Sequence, residues 1–443
     1  MLSGSILRPI MLPLAVVLLG GSSCGLWTLD EGPQYGRLLK SDKERDTRPS
    51  VSEAELAALA EGNTAFSWEL YQQVRLRNGN QFYSPYCISF GLAMAYAGAR
   101  GHTALQMAEE MHFGLSQDRL HPTFNALDLR LSASSGAGAA DDGEGFQLLI
   151  RDSVWGQEGY SFLPSYLDVL AEHYGAGLRV LDFRSDPKGA RLIINRWASD
   201  ATGQRVQELV APGVVSSATR LVLTNAAYFR ASWEKRFPLE STREGPFQPL
   251  ESSMVTVPMM SQTAAFPYLE EEGYKALRLD YAGGEAAMLI LLPAVGAFAD
   301  FEGTLNQDRM DAILADLTLR VVELTLPKFA YEAGLPLGDV LRGIGVPDAM
   351  CGGMTDFSGI DGMLGTLCIS EVAHSGYVQI DENGTEATAA GDAVTDGASA
   401  VPDRPEELVQ FSVDHPFIFV IHDAQTGTVL FIGRVVNAAL SSG

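Results

Sequence analysis

Residues 381–401, DENGTEATAAGDAVTDGASAV, are a long run of small residues between two segments that read as strands. LCISEVAHSGYVQI precedes the run with strand-like alternation, and PFIFVIHDAQTGTVLFIGRVV follows as a hairpin of two apolar strands. Alternate residues from Thr385 to Gly397 are all small and uncharged, and the residues between them include all three charged residues of that stretch. A strand with one buried face needs this separation. The run is therefore compatible with a strand as well as with a surface loop.

The same run has a low intrinsic preference for strand. It is rich in Gly, Ala and Asp and has no aromatic residue. No proline occurs before Pro402, so every backbone N–H that sheet pairing requires is present. Two interpretations stay open on these residues alone: a flexible surface loop with accidental alternation, or a segment that changes from loop to strand.

The composition indicates a globular and strongly acidic chain. It has 443 residues, of which 46% are hydrophobic and 19% are charged, and this length can bury a large core. Length alone suggests two or three domains, but residues 55–440 contain no repeat and no clear linker, so we predict a single domain over 53–440. The formal charge of −24 argues against a nucleic-acid partner.

The N terminus has the pattern of an export signal. Arg8 precedes an apolar run from about Ile10 to Leu19, which is too short to span a bilayer. We predict a signal segment over 1–24 and a polar, flexible leader over 25–52. Cys24 stands where a bacterial lipoprotein signal would place its lipidated cysteine, but Gly21 is atypical for that motif. The protein is thus expected outside the cell, either secreted or anchored to the envelope, and membrane contact is expected only if Cys24 is lipidated.

Catalytic and metal-binding motifs are not apparent in the sequence. It contains no G-x-S-x-G elbow, no H-E-x-x-H helix and no Gly-rich phosphate loop, and no histidine has a ligand at metal spacing. Cys87, Cys351 and Cys368 are widely spaced, and we predict that they are buried free thiols. No cofactor and no metal are expected. A hydrolase with a Ser/His/Asp triad stays open as an alternative, because triads are defined by geometry.

The order of elements predicts an α+β fold. Helical patterns dominate the first half, where Ser84 is expected to cap a helix that starts at Pro85. Strand patterns dominate the second half, which favours mixed or antiparallel sheets.

Several segments together resemble the serpin family. DENGTEATAA is similar to the family's hinge, FSVDHPFIFVIHDAQTGTVLFIGRVV to its C-terminal strand pair, and LVLTNAAYFRASWEKRF to a central strand of its main sheet. NQFYSPYCISFGLAMAYAGARGHTALQMAEEM resembles its second and third helices, and INRWASDATGQRVQELV the helix that lies across the sheet. The resemblance runs from about residue 55 to 436 in family order.

The resemblance implies a suicide inhibitor of serine endopeptidases, with cysteine proteases as secondary targets. A mobile reactive-centre loop, about residues 381–410, would be cleaved by the protease and held as an acyl-enzyme in a covalent 1:1 complex with a monomeric inhibitor. The cleaved loop would then enter the main sheet as a new strand. From Gly384 to Ala398 is fifteen residues. At roughly 3.3 Å per residue, such a strand is about 50 Å long.

The resemblance also implies roles for individual residues. Glu382 matches the acidic hinge position, Lys328 its salt-bridge partner, and Trp233 an aromatic under the upper sheet. We expect the pair of Glu382 and Lys328 to be a surface ion pair that tunes release of the loop. The implied hinge comprises Glu382, Gly384, Thr385, Glu386 and Ala387. The implied sheet-opening cluster comprises Ser84, Cys87, Asn225 and His374.

Two residues depart from the family pattern. Cys87 stands where a serine is common, and a thiol is a weaker hydrogen-bond donor, so the cluster could be looser. Ser375 stands where a lysine is usual, with no evident mechanistic cost.

The cleaved bond follows from a count along the hinge. Seventeen residues from Glu382 end at Ala398, which gives Ala398–Ser399 as the bait bond and an elastase-like or subtilisin-like target. The loop is longer beyond this bond than the family pattern, so Gly397, Ser399, Ala400 and Val401 stay open as alternatives. A non-inhibitory member that acts as a carrier, chaperone or structural protein is the main rival. Such a protein would favour bulky, proline or inward-facing charged hinge residues, and none occur between Gly384 and Gly397.

Overall fold

The computed structural model describes residues 33–137, 147–385 and 408–439. Within these ranges, no helix is long and apolar enough to cross a membrane. The predicted signal segment, residues 1–24, lies outside them.

Ten α-helices lie within the described residues. They are α1 (Glu53–Val74), α2 (Pro85–Tyr96), α3 (Gly101–Glu110), α4 (Gln117–Ala137), α5 (Pro164–Tyr174), α6 (Pro187–Ala201), α7 (Phe298–Glu302), α8 (Gln307–Asp316), α9 (Gly338–Gly343) and α10 (Ser358–Asp361). Side chains cap the N termini of the first two helices. Ser52 and Glu55 form a reciprocal capping box at α1, and the Ser84 hydroxyl accepts from the Cys87 N–H at α2. The predicted start of α2 at Pro85 is confirmed.

Two sheets contain the described strands. Sheet 1 has the order β1 (Arg37–Leu39), β4 (Leu178–Leu181), β3 (Gln147–Gln157), β5 (Leu221–Ser232), β13 (Gly384–Thr385), β12 (Ile369–Ile380) and β11 (Phe329–Pro336). Sheet 2 has the order β14 (Val409–Ser412), β10 (Thr318–Pro327), β7 (Val255–Glu271), β8 (Tyr274–Asp280), β9 (Ala286–Pro293), β15 (Phe417–Asp423), β16 (Val429–Val435) and β2 (Gln81–Tyr83), with β6 (Arg243–Phe247) paired to β7. The pairs β5–β12, β3–β4 and β10–β14 are parallel and the other pairs are antiparallel. The predicted α+β class with mixed sheets is confirmed.

Helices cover both faces of sheet 1. Helix α2 is buried along its whole length and packs against β3, β5 and β16, so it lies between the two sheets. Helix α6 covers the opposite face, where Trp197 packs edge-on against Trp155 of β3. Alternate residues of β5 pack on opposite faces of sheet 1. Leu221 and Leu223 belong to the main core, and Val222 belongs to the cluster under α6.

The predicted flexible leader, residues 25–52, is corrected from residue 37 onwards. Strand β1 pairs with β4 at the edge of sheet 1, with Arg37 opposite Val180. Farther along, the Arg45 guanidinium donates to the Asp128 carboxylate at 2.6 Å. Polar composition suggested a leader because the sequence does not show the sheet edge and the helices α4 and α5 on which this segment packs. The domain therefore begins before residue 53.

The prediction of three free thiols is wrong for two of them. Cys351 and Cys368 form a disulfide, whereas Cys87 is a buried free thiol. Residue 350 is bridged to Ile369 at the start of β12, and the Cys351 N–H donates to the Ile369 carbonyl at 3.1 Å. This local pairing brings together two cysteines that lie 17 residues apart in the chain.

Candidate functional site at a sheet seam and its hinge

The centre of sheet 1 contains a closed contact between two parallel strands. Pairing of β5 with β12 begins at Leu221 and Ile369 and ends at Tyr228 and Tyr377, through eight register pairs. We call this paired stretch the seam. Above it, the two strands part and the last residues of β5 pair with β13 instead.

Strand β13 occupies the gap above the seam. Gly384 lies opposite Ser232 of β5, and Thr385 lies opposite both Ala231 of β5 and Ile380 of β12. Two residues of the predicted hinge, Gly384 and Thr385, therefore already form a short strand of sheet 1. The rest of the predicted hinge and the bait bond, namely Glu386, Ala387, Ala398 and Ser399, lie outside the described residues, as does Cys24.

The side chains of β13 explain its tight fit. A Cβ atom at position 384 would lie 2.0 Å from the carbonyl oxygen of Ala231, so glycine is required there. Thr385 has no exposed surface, and its hydroxyl lies 2.6 Å from that of Tyr281. The Thr385 side chain thus points into the core, on the face that the alternation of the sequence assigns to small residues.

Glu382 anchors the hinge from the other side. Its carboxylate accepts from Lys328 Nζ at 2.6 Å and from the Thr242 hydroxyl at 2.7 Å. Burial by itself would raise the pKa of Glu382, but these two hydrogen bonds outweigh burial and hold the pKa below its ordinary value. The expected surface pair is corrected, because the Glu382 side chain is only 7% exposed while that of Lys328 is 33% exposed.

Trp233 holds the turn between β12 and β13. Its indole N–H donates to the Asp381 carbonyl at 3.0 Å, and its backbone N–H donates to the Asn383 carbonyl at 2.8 Å. The indole ring also stacks on Tyr281 at 4.7 Å. The Asp381 carboxylate accepts from the backbone N–H groups of Asn383 and Gly384 at 2.8 and 3.3 Å. Asp381 was not predicted, although an acid directly before a Gly-containing turn is a typical turn signal.

The four residues of the predicted sheet-opening cluster lie together under the seam. The backbone N–H of Ser84 donates to His374 Nε2 at 3.0 Å, and Asn225 Nδ2 donates to the Cys87 carbonyl at 3.3 Å. Burial lowers the pKa of His374 to about 3, so its ring is neutral at physiological pH. Since Nε2 accepts a hydrogen bond, Nδ1 carries the ring proton. The start of α2 is thereby tied to both strands of the seam.

Cys87 contributes to this cluster through its backbone. Its N–H donates to the Ser84 hydroxyl and its carbonyl accepts from Asn225, and neither contact depends on the side chain. Burial raises the pKa of the Cys87 thiol, which is therefore protonated. Ser375, the second departure from the family pattern, donates through its hydroxyl to Glu332 of β11 at 3.1 Å.

Asp152 of β3 also belongs to the cluster and was not predicted. Asn225 Nδ2 donates to Asp152 Oδ1 as well as to Cys87, and the two residues face each other across β3 and β5. The signal in the sequence is one acid inside the otherwise strand-like segment FQLLIRDSVWG. Within the described ranges, no group of three or more His, Cys, Asp or Glu residues could hold a metal ion.

Comparison with known proteins gives one family. The model of the family Serpin, serine protease inhibitor, matches residues 61–438. An uncharacterized serpin-like protein of Thermococcus kodakarensis is 39% identical over 373 residues, which are 84% of each chain. Leukocyte elastase inhibitor A of Mus musculus is 35% identical over 390 residues, which are 86% of this chain and 99% of its own. The crystal structure of Serpin48, a highly specific serpin of the insect Tenebrio molitor, is similar with a TM-score of 0.74 at 28% identity, covering 88% of this chain and 99% of that one.

Proposed function

The chain belongs to the serpin family, and from that premise we propose that it inhibits serine endopeptidases by inserting its own cleaved loop into the seam between β5 and β12. The protease would cut the loop, become trapped as an acyl-enzyme in a covalent 1:1 complex, and be carried along as the loop enters the sheet. The inhibitor acts as a monomer in this proposal, and cysteine proteases are secondary targets.

The position of β13 is the observation that carries the proposal. Gly384 and Thr385 already pair with β5 and β12 in the orientation that a longer inserted strand would have. The eight register pairs below them are the part of sheet 1 that must open. Opening the seam costs its hydrogen bonds, but a strand between β5 and β12 makes bonds on both sides, each worth roughly 1 kcal/mol net.

The register of β13 defines where the inserted strand would end. Continued residue by residue, it pairs Thr395 with Leu221 at the start of β5 and Asp396 with Ile369 at the start of β12. The seam is filled when residues 384–396 have entered, so the cleaved bond must follow residue 396. The Ala398–Ser399 bond meets this condition, as do neighbouring bonds at Gly397, Ser399, Ala400 and Val401.

The same register makes the small residues of the loop meaningful. In an inserted strand, the parity of Thr385 would place the side chains of residues 387, 389, 391, 393 and 395 toward the core, and all of these residues are small. Gly391 of such a strand would lie between Asn225 and His374, two buried side chains of the cluster under the seam. A residue without a side chain suits this position.

The target follows from Ala398. A small residue before the cleaved bond suits a protease with a small or tolerant primary pocket, either elastase-like or subtilisin-like. The name of the mouse relative, leukocyte elastase inhibitor A, supports this class of target. We also propose that the protein acts outside the cell, either secreted after cleavage of the signal or anchored to the envelope through Cys24.

Mixing the purified protein with an elastase-like and a subtilisin-like protease tests the proposal. We expect a complex that survives denaturing electrophoresis and a released C-terminal peptide that begins at Ser399 by mass spectrometry. The Ala398→Arg variant should trap trypsin-like proteases instead. If the wild type and the variant trapped the same proteases, the assignment of the bait bond to Ala398–Ser399 would be wrong.

A carrier or chaperone role is the competing outcome. Clean cleavage in the loop without a complex for every protease tried, together with an unchanged thermal midpoint after cleavage, would contradict inhibition by insertion. A large rise of that midpoint would show that the loop still enters the sheet and that the protease was the wrong one.

A further inference from the structure

Asp152 faces the sheet-opening cluster from the flank that does not open. It lies on β3 directly opposite Asn225 of β5, whose other neighbour is His374 of β12. The row across sheet 1 is therefore acid, amide and imidazole on three adjacent strands.

Two atoms of the acid and the amide lack partners. Asn225 Nδ2 donates to Asp152 Oδ1, but Asp152 Oδ2 and Asn225 Oδ1 are both buried and make no hydrogen bond among the described residues. An ionised carboxylate and an amide oxygen are both acceptors, so they cannot pair with each other. A protonated carboxyl carries one O–H donor, and it would satisfy both atoms at once.

The surroundings favour the neutral acid. The charged or titratable groups that face Asp152 are Asp128 from α4, Tyr86 and Cys87 from α2, and Arg151 from its own strand. Burial is the largest cause that raises the pKa of Asp152 well above its ordinary value, and the negative charge of Asp128 adds to it. The Asn225 hydrogen bond and the positive charge of Arg151 oppose this rise but do not cancel it.

The nearby cations form no ion pair with Asp152. The Arg151 guanidinium donates to the carbonyl of Ile150, and Arg45 of the N-terminal segment is paired with Asp128. A buried carboxylate without an ion pair is costly, and such a group takes up a proton instead.

We propose that Asp152 is held as a neutral carboxylic acid whose Oδ2–H donates to Asn225 Oδ1, closing a two-hydrogen-bond pair that positions the Asn225 amide. In this pair one Asn225 N–H is used by Asp152 and the second is directed at the Cys87 carbonyl. Asp152 is thus a positioning residue that acts through Asn225.

The pair has a consequence for insertion, and this consequence rests on the proposed function. It joins β3 and β5 through side chains as well as backbone, so the two strands move as one unit while the seam opens between Asn225 and His374. Loss of the Asp152 proton would remove the donor and place a charge under the sheet.

The experiment compares three variants with the wild type by urea unfolding from pH 5 to pH 9. Asp152→Asn keeps both hydrogen bonds, because its amide N–H replaces the acid O–H, but it cannot ionise. Asp152→Ala removes both bonds. Glu158→Gln changes an exposed acid just beyond the end of the same strand and serves as the control.

The sign of the effect follows from linkage. A carboxyl whose folded pKa is raised makes folding take up a proton, so stability falls as pH rises from the unfolded pKa of about 3.9 toward the folded pKa. Relative to Asp152→Asn, the wild-type folding equilibrium constant should fall by up to tenfold per pH unit in that window. Glu158→Gln should follow the wild type, and Asp152→Ala should unfold at lower urea at every pH.

Two results would overturn the inference. One is a wild-type pH profile parallel to that of Asp152→Asn, and the other is an Asp152→Asn variant as unstable as Asp152→Ala. Neither readout needs a protease, so failure of the proposed inhibition would leave this test intact. Where trapping occurs, Asp152→Asn should retain it at pH 9 better than the wild type does.

Discussion

The two flanks of β5 are built differently. On one flank, β5 pairs with β3 in antiparallel register without interruption from Leu221 to Arg230. On the other flank, it pairs with β12 in parallel register, stops at Tyr228, and has an irregularity near Ile369. Parallel pairing is slightly less stable per residue than antiparallel pairing. This difference supports the proposal that β3 stays paired with β5 while β12 separates from it.

The cluster under the sheet follows the same division. Asn225 donates to Asp152 on the β3 flank, whereas no hydrogen bond joins its side chain to that of His374 on the β12 flank, within the described residues. The His374 ring instead accepts from Ser84 at the start of α2. In this row a direct side-chain hydrogen bond joins β5 to β3, whereas the side chains of β5 and β12 are linked only through the start of α2.

The largest expected effect comes from blocking the seam at its centre. In Gly391→Leu, the added side chain would enter the space between Asn225 and His374 during insertion, so the variant should be cleaved as a substrate and form no stable complex. In the matched control Ala390→Leu, the side chain would point to the opposite face and trapping should persist. Denaturing electrophoresis with the target protease checks both, and equal trapping by the two variants would contradict the register proposed for the loop.

The next largest effect, on stability, is expected from the disulfide beside the start of β12. The disulfide between Cys351 and Cys368 closes a separation of 17 residues beside the start of β12. Loss of such a cross-link costs about 3 kcal/mol in the chain-entropy account. Replacing both cysteines with alanine should lower the urea midpoint, and reducing agent should shift the wild type by a similar amount. An unchanged urea midpoint in both cases would mean that backbone hydrogen bonds alone hold the start of β12.

The smallest effect is expected at the top of the seam. Lys328→Met removes the cation from Glu382, and because Lys328 is one-third exposed the loss should be about 1 kcal/mol. Amide exchange of Trp233 and Phe237, whose N–H groups bond to Asn383 and Glu382, should accelerate roughly fivefold. Arg243→Met, which removes an exposed cation nearby, is the control and should leave these amides unchanged.

The pH dependence of this contact has a definite sign. The folded-state pKa of Glu382 is lowered, so its contribution is present above the unfolded pKa of about 4.3 and is lost as pH falls below that value. Protection of the Trp233 amide should therefore decrease on acidification of the wild type. An amide whose protection stays unchanged down to the pH at which the whole protein unfolds would show that the ion pair does not hold the hinge.

The fold class, the start of α2 and the buried face of the hinge could be predicted from local patterns. Ser84 and Pro85 are a helix-start signal, and the alternation around Thr385 identified its buried face before any partner was known. The hinge and cluster residues followed from a resemblance to a family rather than from spacing. Their contacts join segments up to 290 residues apart, as between Ser84 and His374, and no local rule gives such pairs.

The remaining features depend on contacts that sequence patterns do not encode. Burial of Glu382 results from the packing of Lys328 and Thr242 around the turn, and pairing of Cys351 with Cys368 results from the bridge at the start of β12. In the sequence, Asp152 is an ordinary acid in a strand. Only the structure shows that Asp152 Oδ2 and Asn225 Oδ1 are buried without hydrogen-bond partners among the described residues. These are properties of the assembled sheet.

The crystal structure of the protein after cleavage in the loop tests the central claim most directly. In the uncleaved protein, Asn225 and His374 are neighbours on adjacent strands. The account predicts that residues 384–396 form a strand between them, so that β5 and β12 move from about 4.8 Å to about 9.6 Å apart, with Gly391 level with both residues. A cleaved protein in which β5 and β12 are still paired along the seam would contradict the account.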